Sequence, residues 1–304
     1  MNVTTSPTAI KALLKRYGLL PKKGLGQHFL WQSQVVERIA AAAALTKEDV
    51  VLEIGPGLGV LTAALARRAG LVIAVEIDGS LLPLLKETLG GYDNIRVVKG
   101  DALKVDFGNL LDDYAPRFTG ACKVVGNLPY CITSPLLMRL LYGEFRKELF
   151  VFMVQKEVAR RIAAVPGGKD YGSLSVAVQY LAVPQCLFQV SPHAFYPRPE
   201  VESTVMNLTS LQQPAVRVED TEIFFRVVRA AFRYRRKTLR NALQEAGLWH
   251  PPKDDDIFEI AGIVPERRGE TLDLAEFSRL ADALAHSKER KEENKCTSSV
   301  QAKV

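Results

Sequence analysis

The sequence predicts an open α/β sheet of alternating strands and helices, followed by a small all-α domain. The first observation is the apolar run Val50-Val51-Leu52-Glu53-Ile54, which passes into Gly55-Pro56-Gly57-Leu58-Gly59 and then a helical pattern from Val60 to Ala69. That is the strand, glycine turn and helix of a nucleotide-binding unit. The second is the recurrence of short apolar runs, several ending in a polar or acidic residue, as in Leu71-Val72-Ile73-Ala74-Val75 before Glu76. The third is a change to helical periodicity without further strand signals beyond residue 220.

Taken in order, residues 1–30 form an N-terminal arm with a helix around Ala9 to Tyr17 that is free to move. The main domain spans 31–212, with strands near 50–55, 71–76, 94–99, 121–126, 149–154, 183–190 and 202–209. Such nearly continuous apolar runs suit strands covered by helices on both faces. Pro214 lies in a short polar linker, and helices near 221–246, 254–262 and 272–285 make a small domain over 213–286. Residues 287–304, Ser-Lys-Glu-Arg-Lys-Glu-Glu-Asn-Lys onward, are expected to be a disordered charged tail.

The chemistry gathers at strand ends. Glycines let the backbone approach a ligand, and the following helix offers free N–H groups. Glu76 lies 21 residues beyond Gly55, where an acidic residue holds a ribose diol. The spacing Gly-x-Gly-x-Gly differs from the Gly-x-Gly-x-x-Gly that seats a pyrophosphate, so no diphosphate is expected. The run Ile95-Arg96-Val97-Val98-Lys99 leads into Gly100-Asp101-Ala102, placing a carboxylate where it can meet a cofactor's adenine amine. Glu53, Gly55, Glu76, Asp101 and Asn127 all fall at or near strand ends, on the edge where open α/β sheets bind ligands.

After Ala121-Cys122-Lys123-Val124-Val125-Gly126 the chain reads Asn127-Leu128-Pro129-Tyr130. The lone pair of adenine's exocyclic amine is delocalised into the ring, so the amine is a poor nucleophile. The Asn127 side-chain oxygen and the Leu128 carbonyl can accept hydrogen bonds from such an amine and draw its nitrogen toward a pyramidal, more nucleophilic geometry. Pro129 fixes φ and donates nothing, and Tyr130 offers a stacking face worth roughly 1–3 kcal/mol per base. An ordinary strand-end turn is the competing reading, because Asn and Pro favour turns.

Together, Lys23-Gly24-Leu25-Gly26-Gln27-His28-Phe29-Leu30, Glu53-Ile54-Gly55-Pro56-Gly57, Val75-Glu76-Ile77-Asp78, Gly100-Asp101-Ala102 and Gly126-Asn127-Leu128-Pro129-Tyr130 closely resemble the ribosomal RNA adenine N6-dimethyltransferases, and within them the small-subunit branch. Ser134-Pro135, Gln155-Lys156-Glu157-Val158-Ala159 and Phe195-Tyr196-Pro197-Arg198-Pro199-Glu200-Val201-Glu202-Ser203 extend the likeness over about residues 20 to 285. The resemblance implies a Rossmann-like class I S-adenosylmethionine-dependent methyltransferase with a seven-stranded sheet whose last strand inserts antiparallel. It implies cofactor contacts at Gln27, His28, Leu30, Gly55, Gly57, Glu76, Asp101, Ala102 and Asn127, with Asn127, Leu128, Pro129 and Tyr130 as the catalytic segment. Phe195 is implied as a second aromatic contact for the target base. The substrate implied is 16S rRNA in the immature small subunit, where two adjacent adenosines of the 3′-terminal hairpin loop become N6,N6-dimethyladenosines.

Two departures stand out. His28 occupies a position that is usually Asn, so binding there can run through its ring or its backbone, and Cys131 follows the tetrapeptide where many relatives carry Asn or Tyr. His193 is read as structural or RNA-facing.

Composition fits an RNA-facing enzyme. The net charge is +6, but residues 1–36 carry no acid, and residues 226–240 hold seven basic residues and no acidic one. Arg226, Arg229, Arg233, Arg236 and Arg240 recur at helical spacing opposite Phe224, Val227, Val228, Ala231 and Leu239, an RNA-binding stripe of one helix with Phe232 and Tyr234 interleaved. No apolar stretch approaches the ~18 residues of a membrane span, and no secretory signal is apparent at the N-terminus. The cysteines, Cys122, Cys131, Cys186 and Cys296, lack metal-ligand spacing. A cytoplasmic monomer without metal or membrane partner is expected. The branch that methylates the same atom in large-subunit RNA is disfavoured by Pro135 after Ser134 and by the first motif. A non-catalytic RNA-binding factor is disfavoured by the intact cofactor positions. A nicotinamide dehydrogenase would leave Tyr130 and the arginine stripe without purpose.

Overall fold

The computed structural model describes the backbone of residues 6–250 and 257–301, with side chains up to Ser287. Its strands are β1 (Phe29–Leu30), β2 (Val50–Ile54), β3 (Leu71–Glu76), β4 (Ile95–Lys99), β5 (Cys122–Asn127), β6 (Lys147–Gln155), β7 (Ala182–Val190), β8 (Phe195–Tyr196) and β9 (Ser203–Ser210). Its helices are α1 (Pro7–Arg16), α2 (Ser33–Ala42), α3 (Val60–Ala66), α4 (Leu82–Thr88), α5 (Phe107–Tyr114), α6 (Thr133–Tyr142), α7 (Lys156–Ile162), α8 (Ser173–Gln179), α9 (Thr221–Arg233), α10 (Leu239–Glu245), α11 (Ile257–Ala261) and α12 (Leu274–Gln301).

A seven-stranded sheet runs β4-β3-β2-β5-β6-β9-β7. The strands β4, β3, β2, β5 and β6 are parallel, and β9 inserts antiparallel between β6 and β7, as the family resemblance implies. Each expected strand lies within two residues of an observed one. The register pairs Ile54 with both Val75 and Gly126, and Glu76 with Lys99. Gly55, Glu76, Gly100 and Asn127 therefore reach one edge together. The apolar stripes of α2 and α3 bury Val36, Ile39 and Leu65 with Val51, Val72, Val125 and Val151 of the strands.

The N-terminal helix is docked, where a mobile arm was expected. Ser6 caps α1, its side chain accepting from the Ala9 N–H at 3.2 Å. Ile10 and Leu14 are buried with Leu84, Leu85 and Leu89, while Arg16 and Tyr17 both hydrogen-bond Glu87. Helix periodicity predicts that apolar face but not what covers it.

The chain divides into two compact units, 1–160 with 182–211, and 161–181 with 212–304. The second unit thus takes in residues that the sequence reading placed inside the main domain. The reason is packing: Tyr171, Val176 and Tyr180 share a core with Phe224, Val227, Leu243, Phe277 and Leu280. The single helix expected over 221–246 is broken into α9 and α10, with Thr238 capping α10 through the Asn241 N–H at 3.4 Å. Residues 254–256 of the next expected helix lie outside the described residues. Helix α12 runs to Gln301, so most of the stretch read as a disordered tail is helical. Its Lys, Glu and Arg residues are favourable helix formers.

Candidate active site

The aligned strand ends open onto a cavity. Gln27, His28, Leu30, Gly55, Gly57, Glu76, Asp101, Ala102 and Asn127 all line it, together with Glu53 and Pro129. Gly55 has φ +69°, and a Cβ there would meet no protein atom within 4 Å. Left-handed backbone facing open space is what a turn that cradles a ligand requires.

Glu76, at the end of β3, is 4% exposed. Its carboxylate accepts from the Asp78 N–H at 2.8 Å and from the Gly57 N–H at 3.3 Å. Burial pushes its pKa up, and these N–H groups oppose the rise. The β2 turn and the end of β3 are thereby locked to each other around a carboxylate that borders the cavity. Asp101 accepts from the Leu103 N–H at 2.9 Å, and Lys104 stands 3.8 Å from its other oxygen. Ala102 is buried beside it.

Gln27 is held from behind. Its Oε1 accepts from the Lys22 N–H at 2.8 Å, and its Nε2 donates to Asp78 at 2.8 Å. Burial alone would raise the Asp78 pKa, but hydrogen bonds from Lys22, Ser80 and Gln27 bring it down to about 2. Asp78 is a permanent anion that anchors the 22–28 loop to β3, a role the sequence reading missed. Its adjacency to Glu76 was the available signal.

On the amine side, Asn127 closes β5. Its Nδ2 donates to the His28 carbonyl at 3.1 Å. Because that partner can only accept, the amide orientation is fixed and Oδ1 remains the acceptor of the pair. The His28 ring donates from Nδ1 to the Pro197 carbonyl at 2.7 Å and stacks on Tyr130, with centroids 5.8 Å apart and planes at 25°. The histidine thus works through both ring and backbone. Tyr130 is partly buried, and its hydroxyl shares a 2.6 Å hydrogen bond with Ser203. Pro129 keeps its carbonyl for the Thr133 hydroxyl at 3.0 Å and the Ile132 N–H. Leu128 is buried, its N–H donating to Met153 at 3.0 Å.

Cofactor cavity and acceptor carboxamide thus meet at Asn127. A sequence model described as ribosomal RNA adenine dimethylase matches residues 19–285. The chain belongs to the ribosomal RNA adenine dimethylase family. The ribosomal RNA small subunit methyltransferase A of Moorella thermoacetica is 51% identical over 289 residues, covering 94% of this chain and 100% of that protein. Among solved structures, a dimethyladenosine transferase from Plasmodium falciparum aligns with TM-score 0.71 at 27% identity, covering 83% of this chain and 96% of the other. The 23S rRNA methyltransferase ErmE aligns with TM-score 0.64 at 28% identity, covering 84% and 99%. The fold is that of the class I methyltransferases.

Two expectations for this dimethylase-family chain need correction. Phe195 is 3% exposed, packs into the sheet core and does not line the cavity. Neighbouring residues on a strand face opposite ways, and along β8 it is Tyr196 that stays partly exposed. The arginine stripe is not on one helix: Arg226, Arg229 and Arg233 lie on α9, Arg236 in the following turn and Arg240 on α10. Acids from other segments also answer part of the cluster. Arg240 pairs with Glu266 at 3.6 Å, Arg235 with Glu270 at 3.0 Å, and Lys237 with Glu245. Phe232 packs against Tyr171 and Phe277 rather than lying between the arginines, whereas Tyr234 lies beneath Arg233 and Lys237. Among the described residues Arg229, Arg233 and Arg236 are exposed without an acidic partner.

No described helix is long and apolar enough to cross a membrane. The described residues contain no group of three or more His, Cys, Asp or Glu that could hold a metal.

Proposed function

We infer that the protein transfers methyl groups from S-adenosylmethionine to N6 of two adjacent adenosines in the 3′-terminal hairpin loop of 16S rRNA, giving N6,N6-dimethyladenosines during small-subunit assembly. The observation that carries this is the tied Asn127 carboxamide, whose Nδ2 is committed to the His28 carbonyl, so that Oδ1 is presented as an acceptor where the cofactor cavity ends.

The cavity suits the cofactor: an open glycine turn, a buried carboxylate at Glu76 and a polar lip at Asp101 fit a nucleoside without phosphates. Glu76 would hold the ribose diol and Asp101 the adenine amine, with Gln27, His28, Leu30, Gly57 and Ala102 shaping the remainder. When bound, S-adenosylmethionine supplies a methyl group on a positively charged sulfur, so the protein's task is positioning, worth about 7–11 kcal/mol. Asn127 Oδ1 and the Leu128 carbonyl accept from the N6 amine, and Tyr130 stacks on the base. N6 loses its proton after bonding carbon, when it has become acidic, and no side-chain base is required. A monomethylated amine has only one N–H left, and either acceptor can hold it for the second round. Loop bases are already splayed, which lowers the cost of delivery. Arg229, Arg233 and Arg236 would meet RNA phosphates. We place the enzyme in the cytoplasm as a monomer acting on immature small subunits.

Primer extension across that hairpin, with RNA from cells with and without this gene, tests the assignment. Dimethylated adenine blocks the polymerase, so the stop should vanish without the gene. An unchanged stop would overturn it.

A further inference from the structure

A second, open concavity is walled by α1, residues 18–21 and Tyr196, whose β1 partner Phe29 lines the first cavity. Lys11 and Lys15, one turn apart on α1, lie on one side of it. Both are exposed and neither has an acidic partner among the described residues, whereas Arg16 is taken by Glu87. Lys11 Nζ stands 5.5 Å from the centre of the Tyr196 ring. Leu20, on the rim, is 82% exposed, and no acidic residue occurs anywhere in residues 1–36.

Cations, an aromatic face and an apolar rim in one groove are the components with which proteins bind single-stranded nucleic acid. A solvated helix face accounts for the two lysines but not for the exposed Leu20 beside them, and Tyr196, packed against the core around Ile10 and Leu14, keeps part of its surface open. The position adds to this. Tyr196 pairs with Phe29, next to His28, and the carbonyl of the following Pro197 accepts from the His28 ring. The groove is therefore joined to the Asn127 carboxamide through His28 and its neighbours Phe29 and Pro197.

We propose that this groove takes the nucleotide adjoining the adenosine being methylated, its base against Tyr196 and Leu20 and its phosphate between Lys11 and Lys15. The proposal rests on the function inferred above. It gives the first unit its own contact with the RNA strand, independent of the arginines of the helical unit. Adjacent target bases would be held in turn, one in the pocket and its neighbour in the groove.

The test compares the full-length protein with Lys11→Ala/Lys15→Ala, Tyr196→Ala and Tyr196→Phe. It measures binding of a fluorescent single-stranded hairpin-loop RNA as a function of salt, methyl transfer into small subunits, and cofactor affinity. Loss of two phosphate contacts should flatten the slope of log affinity against log salt by about 1.4. Tyr196→Ala should weaken RNA binding roughly 5- to 150-fold, and Tyr196→Phe should restore it. Cofactor affinity should hold in all variants, which separates a lost RNA contact from a disturbed β1–β8 pairing. A salt slope and RNA affinity unchanged in the lysine and alanine variants overturn the groove. Should the parent bind RNA yet methylate none, the inferred function falls, while the slope still judges the groove.

Discussion

Glu53 is the residue through which the stability of this sheet can be interrogated. It is the penultimate residue of the parallel strand β2, 1% exposed, and its Oε2 has no hydrogen-bond partner. Burial, opposed by the Thr62 hydroxyl and reinforced by the nearby Glu76 carboxylate, raises the pKa from 4.5 to about 8. The folded protein therefore keeps a proton on Glu53 at neutral pH that the unfolded chain has lost. Because the folded value is the higher, the unfolded state is favoured progressively as pH rises from 4.5, and the effect is complete above about 8. At about 1.4 kcal/mol per pH unit, the whole interval is worth about 5 kcal/mol for this group. Glu53→Gln keeps the shape and removes the ionisation. Urea denaturation of the two proteins between about pH 5 and about pH 9 should show their stabilities diverging in favour of the variant, by about 1.4 kcal/mol per unit up to pH 8. Parallel curves across that range would refute the reasoning, for they would mean that Glu53 ionises in the fold as readily as in water.

Two further outcomes follow from the site. Asn127→Ala removes an acceptor and releases the His28 carbonyl, so kcat for methyl transfer should fall roughly 10²- to 10³-fold while the KM for RNA stays nearly constant. A tritiated-methyl assay reads both. Gly126→Ala would place a Cβ 2.8 Å from the Ile54 carbonyl, forcing β2 and β5 apart where the cavity begins. It should cost about 1–3 kcal/mol in denaturation and weaken cofactor binding as well.

The strands were legible because a parallel sheet buries both faces, and a run such as Val50 to Ile54 has few other ways to hide so much apolar surface. The cofactor residues were legible because a glycine turn, an acidic residue a fixed distance on, and strand-end polar residues converge wherever parallel strands stand in register. Phe195 was misread because its aromatic character suits a core as well as a stacking surface, and only the β1–β8 pairing reveals which way it faces. The arginine stripe was misread for a related reason. Helical spacing records what lies on one helix, while Glu266 and Glu270 come from a segment distant in sequence and close in space.

The sequence by itself determined the order of strands and helices, the family and the residue types at the cavity, since local periodicity and motif spacing are written along the chain. The tertiary structure decided which end of the Asn127 carboxamide is free, what anchors Gln27, which unit residues 161–181 join and which cations lack partners. Those depend on pairings such as Asn127 with His28 and Gln27 with Asp78. Such contacts between distant residues leave no period in the sequence to be read.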